Sequence, residues 1–134
     1  MRVSPELEAK ILAQSSPPKS SVMIADVVAP FPLYVSEKAF QAYVVRFAQG
    51  QGFRVFHTHD SRRSEGGYPD LTMVRRGRAR GRGQVIYAEL KSMKGKVTRE
   101  QQWWIDDLLD AGCEVFVWRP DQWNEICATL GGEL

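Results

Sequence analysis

The chain has 134 residues, 43% of them hydrophobic, and a net charge of +2, which suits one domain with a real core. No run is long and apolar enough to span a membrane, and no cationic, apolar leader opens the chain, so membrane and secreted classes are excluded and a cytoplasmic protein is expected, whether free or associated with a nucleoid or phage. The two cysteines, Cys113 and Cys127, fit small buried thiols in a reducing compartment better than a disulfide.

Residues 1–35 read as an N-terminal arm. A short helix from Pro5 to Gln14 runs into Ser15-Ser16-Pro17-Pro18-Lys19-Ser20-Ser21, a linker composition. An apolar stretch with Pro30 and Pro32 follows and reads as an irregular docking segment. Residues 36–134 form the domain proper. Ser36 is a good helix N-cap, and Phe40, Tyr43, Val44, Phe47 and Ala48 recur at helical spacing before Gly50 and Gly52. Phe53 to Thr58 alternates as a strand. Ser61 to Pro69 is a polar loop, Leu71 to Val74 a second strand, and Arg75 to Gly83 an arginine-glycine turn. Gln84 to Lys91 is a third strand, paired with the second as a hairpin. Thr98 caps a helix to about Ala111, with Trp104, Ile105, Leu108 and Leu109 as its apolar stripe and Gly112 as its stop. Glu114 to Trp118 is a fourth strand, and a last helix runs from Pro120 or Asp121 to Leu130. The fold class is α/β: a small mixed sheet of about four strands flanked by helices. The helix from Thr98 is a crossover of the kind that links parallel strands.

Charge is unevenly spread along this order. From Arg62 to Arg99 there are eleven basic residues and three acids, Glu65, Asp70 and Glu89. Such a patch attracts polyanions. Within it, Gly66-Gly67-Tyr68-Pro69-Asp70 is followed by Glu89-Leu90-Lys91. Alternate strand residues share a face, so Glu89 and Lys91 point together and Leu90 points away. Two acids and a lysine suit a divalent cation and the water it activates. Asp70, Glu89 and the Leu90 carbonyl are candidate ligands for Mg2+ or Mn2+. Lys91 would position the water or neutralise charge on a phosphate. Glu37, in the first turn of the first helix, could approach the same edge, and Gln101 could hold a water or a phosphate oxygen. The candidate DNA contacts are Arg62, Arg63, Arg75, Arg76, Arg78, Arg80, Arg82, Lys94 and Lys96. His57 and His59 share a strand face, but two histidines are too few for a histidine-rich zinc site.

Glu37, Gly67-Tyr68-Pro69-Asp70-Leu71, Tyr87-Ala88-Glu89-Leu90-Lys91, Gly95-Lys96-Val97-Thr98, Gln101, Trp104 and Val117-Trp118-Arg119-Pro120 together resemble the virus-type replication-repair nuclease (VRR-NUC) domain of the PD-(D/E)xK superfamily. The resemblance covers roughly residues 36 to 130. It implies a restriction-endonuclease-like core and a Mg2+- or Mn2+-dependent deoxyribonuclease that leaves a 5′-phosphate. It further implies selectivity for branched, flap or four-way junction DNA, and a homodimer. By position, Asp70 and Glu89 would hold metal, Glu37 would assist, Lys91 would be catalytic and Gln101 supporting. One rival reading is a catalytically silent nucleic-acid-binding module on the same fold. It does not explain why acids stand where phosphates must approach. The other, a base-specific restriction enzyme, needs recognition elements for which the chain has little room.

Overall fold

Ser36 starts the first helix as its spacing predicts: its Oγ accepts the Ala39 amide at 3.0 Å, satisfying one of the donors a helix start leaves unpaired. The computed structural model describes residues 31–59, 66–77 and 81–131. Most of the arm therefore lies outside the described residues. Helix α1 spans Glu37–Gly50 and buries Phe40, Tyr43, Val44, Phe47 and Ala48. Gly52, at φ +92, lets the chain reverse into strand β1, Arg54–His57. Strands β2 (Leu71–Arg75) and β3 (Gln84–Leu90) follow. Helix α2 (Arg99–Asp110) leads to strand β4 (Glu114–Trp118), and a 3₁₀ turn at Pro120–Gln122 opens helix α3, Trp123–Gly131.

The sheet order is β1-β2-β3-β4. β1 with β2 and β2 with β3 are antiparallel, while β3 and β4 are parallel, the pairing expected across a helical crossover. The mixed α/β class read from the sequence is the class observed. Leu71, Met73, Ile86, Ala88 and Leu90 face α1 and α3 and form the core with Trp118, Trp123, Ile126 and Leu130. The opposite alternation leaves Phe56, Val74 and Val85 exposed.

Phe31, in the stretch read as a docking segment, packs into the core: its ring stacks on Trp123 with centroids 4.5 Å apart and meets Tyr43 edge-on at 5.6 Å. Aromatic burial of this kind contributes about 2–3 kcal/mol, so the folded unit begins at or before Phe31. In α2, only Ile105 of the expected stripe is buried, and Leu109 is 52% exposed. Among the described residues the helix packs mainly on β4 and, through Glu100 and Trp104, on the turn at Gly66, Gly67 and Tyr68. Trp103 is exposed and Trp104 packs inward, so the adjacent pair divides as two neighbours on a helix must. Both cysteines are free thiols, and burial pushes the Cys127 thiol up to about 12.

Candidate active site

Asp70 reaches the sheet through a turn held at several points. Gly67 adopts φ +90, and a Cβ there would lie 2.5 Å from the carbonyl carbon of Glu100. Only glycine lets this turn touch the first turn of α2. Trp104 secures the same contact: its Nε1–H donates to the Gly66 carbonyl at 3.2 Å, and Tyr68 meets its ring edge-on at 5.0 Å. From the other side, the end of β1 supports the segment. The Thr58 amide donates to the Asp70 carbonyl at 2.8 Å and the Thr58 hydroxyl to the Pro69 carbonyl at 2.9 Å. The Asp70 carboxylate itself accepts the Leu90 amide at 2.8 Å. That bond joins the start of β2 to the end of β3 and brings the sequence-distant acid to Glu89.

Glu89 is 1% exposed, and Lys91, on the same side of the strand, 7%. Lys91 Nζ lies 3.2 Å from Glu89 Oε2. The other oxygen, Oε1, is buried with no hydrogen-bond partner among the described residues, a costly state for a carboxylate unless something positive occupies its free side. Burial first, then the charge of Asp70, raises the Glu89 carboxyl to about 7, and Lys91 only partly offsets them. Glu37 joins the group from α1. Partial burial raises its carboxyl, Lys91 draws it down and Asp70 pushes it up. The fold therefore brings Glu37, Asp70, Glu89 and Lys91 within one electrostatic neighbourhood.

An orphaned, ionisable oxygen beside a second carboxylate is a donor set that fits a hard cation. Among the described residues no three His, Cys, Asp or Glu side chains form a closed metal cage. Magnesium does not require one, because it keeps several waters and takes one or two carboxylates.

Other sequence-predicted residues fare differently. Leu90 places its side chain in the core and its amide on Asp70, so its backbone is fixed beside the acids. Gln101 has a structural role as well: its Oε1 accepts the Thr98 amide at 2.9 Å while Thr98 Oγ1 accepts the Gln101 amide at 3.1 Å. This reciprocal cap commits its carbonyl oxygen to starting α2. Arg75 is corrected, from a DNA contact to an internal clamp. Its guanidinium donates to the carbonyls of Gln51 at 3.1 Å and Leu130 at 3.0 Å and to Gln84 Oε1 at 3.0 Å, lying 4.3 Å over the Phe53 ring. Arg76, Arg82, Lys94 and Lys96 are exposed. Arg62, Arg63, Arg78 and Arg80 lie outside the described residues. Arg76 and Arg82 flank the hairpin at the end opposite Asp70 and Glu89. Arg119 has a role that reading the sequence missed. It donates to the carbonyls of Ser92 and Gly95, both at 2.7 Å, and so pins the loop that leaves Lys91. Its sequence signal is its place in the Val117-Trp118-Arg119-Pro120 stretch of the family resemblance, directly after the strand parallel to β3.

Comparison with known proteins agrees with this geometry. The model of the VRR-NUC domain matches residues 7–122, reaching into the segment set aside by composition as an arm. A solved structure titled "VRR_NUC domain protein" has the same fold, with a TM-score of 0.54 and 20% identity over 72% of this chain and 86% of that one. No curated protein matches. With most of its length matched by the family and its acids gathered at one end of the β2–β3 hairpin, the chain belongs to the VRR-NUC domain family, a family of nuclease type.

Proposed function

We propose that the protein is a Mg2+- or Mn2+-dependent endodeoxyribonuclease acting on branched, flap or junction DNA. The observation that carries this reading is the buried Glu89 carboxylate, with one oxygen on Lys91 and the other unpartnered, next to Asp70. Asp70 and Glu89 would hold the cation, with the Leu90 carbonyl as a third donor and Glu37 assisting from α1. A bound divalent ion supplies Lewis-acid polarisation of the phosphodiester and a water of lowered pKa. The chain's own contribution is positional. The Leu90 amide holds the Asp70 carboxylate, and Lys91, fixed against Glu89, stands ready to orient water or meet negative charge developing on the phosphate. Hydrolysis forms the bond between water oxygen and phosphorus and breaks that to the 3′ oxygen, leaving a 5′-phosphate and a 3′-hydroxyl.

The exposed apolar strip of Phe56, Val74 and Val85 supports the homodimer part of the reading. The silent-module alternative has no such support, because a surface that only binds phosphates gains nothing from buried acids. The test is a cleavage panel of plasmid, flap and four-way junction with Mg2+, Mn2+ or EDTA. Cutting is expected with either metal and none in EDTA. Glu89→Gln and Asp70→Asn proteins should bind DNA yet cut at least about 10³-fold more slowly. Full activity in either variant overturns the assignment.

A further inference from the structure

A groove of about 320 Å³ lies between α1 and the edge strand β1, lined by Lys38, Gln41, Ala42, Val45, Arg46 and His57 among others. Its position relative to the acids is fixed by the chain itself. Lys38 directly follows Glu37, and Gln41 stands one turn beyond Glu37 on the same side of α1. His57 pairs across the sheet with Leu71, the residue after Asp70. The groove is thus the continuation, on the α1 side, of the neighbourhood that holds the carboxylates. Its lining mixes half-buried Ala42 and Val45 with exposed Lys38 and His57, and among the described residues it contains no carboxylate. His59 extends it: its ring lies 4.5 Å from that of His57 at 60°.

We propose that this groove seats an unpaired nucleotide of the substrate strand beside the scissile phosphate. The inference rests on the nuclease reading for its substrate class and adds where the strand lies. Cationic side chains next to apolar and aromatic surface are what single-stranded nucleic acid uses, the phosphate meeting the charge and the base a ring face. A duplex offers its bases to neither. A groove of about 320 Å³ has room for one sugar-phosphate unit and its base, not for a double helix. The preferred substrate is then a duplex that carries a single-stranded arm at the cut, not an uninterrupted one.

The experiment compares a blunt duplex with the same duplex bearing a short single-stranded extension, bound by full-length protein in the Glu89→Gln background so that no cutting occurs. The extension should tighten binding about tenfold, the size expected of one stacked base with its phosphate contact. A Lys38→Gln/His57→Ala pair, and separately Ala42→Trp to fill the groove, should abolish that gain and leave the blunt duplex unchanged. Neither change touches the carboxylates, so the same variants made with Glu89 intact should cut blunt duplex at the wild-type kcat. The double variant alters only exposed side chains and keeps the test decisive if the tryptophan disturbs folding. Equal losses on both DNAs, or no loss on either, overturn the groove. An extension's advantage that persists in a wild-type protein that cuts no DNA would uphold the groove and sink the nuclease reading instead.

Discussion

At Glu89, burial and neighbouring charge act against ionisation more strongly than Lys91 acts for it. The sign of the pH dependence follows. In the unfolded chain this carboxyl titrates near 4.5, and in the fold at about 7. Below pH 4.5 both states are protonated and Glu89 has no pH-dependent effect. Between 4.5 and 7 the unfolded state loses its proton first, so metal-free stability falls with rising pH, by on the order of 3 kcal/mol once both are passed. In EDTA, therefore, the Glu89→Gln protein should melt several degrees above wild type at pH 8, with the gap closing at pH 4.5; a constant gap across that range would show that Glu89 is not desolvated. Added Mg2+ should restore wild type at pH 8 and do less at pH 5, because ligation needs the ionised acid. This residue was legible in the sequence, since strand alternation alone pairs Glu89 with Lys91. Gln101 and Arg75 were not. Their side chains have several hydrogen-bonding atoms, and sequence does not say whether a partner is DNA, water or a carbonyl of the same chain.

Among the elements, the turn before β2 determines where Asp70 stands. Gly67→Ala must relieve a Cβ 2.5 Å from the Glu100 backbone and a φ of +90, and either relief shifts the turn off α2. Displacements near 1 Å cost about 10²-fold in rate when geometry is demanding. The variant should remain folded by circular dichroism, lose about that factor in kcat and keep its DNA affinity. Unchanged kcat would mean that the turn does not set the acid. The strands and helices themselves follow from periodicity, caps and glycines, which is why β4 and the start of α2 at Thr98 fall where the pattern puts them. The α2 stripe does not, because a helix packed on one edge strand buries only a narrow band. Leu109 satisfies helical spacing yet meets no second layer.

For the whole molecule, Arg75 is the tie between parts distant in sequence. It bonds the carbonyls that follow α1 and end α3, while Gln84 passes the connection to Glu114 on β4 at 3.2 Å. Helix C-termini leave carbonyls unpaired and carry partial negative charge, so a fixed cation serves both needs. Arg75→Ala should cost about 2–4 kcal/mol by chemical denaturation, and Arg75→Lys most of that, since an ammonium cannot span the same set of acceptors. A loss under about 0.5 kcal/mol would return Arg75 to the surface. Arg75 also stands five positions along β2 from Asp70, or about 17 Å at the rise of an extended strand. Length changes confined to the tip between Arg75 and Gln84 leave the pairing of Leu71 with Ala88 untouched, so the tip is free to diversify while the acid end stays constant. Under the proposed nuclease function the hairpin would act as a ruler: the offset between Arg76 and Arg82 at its tip and Asp70 at its acid end is set by the number of paired residues, and each added pair lengthens it by about 3.4 Å.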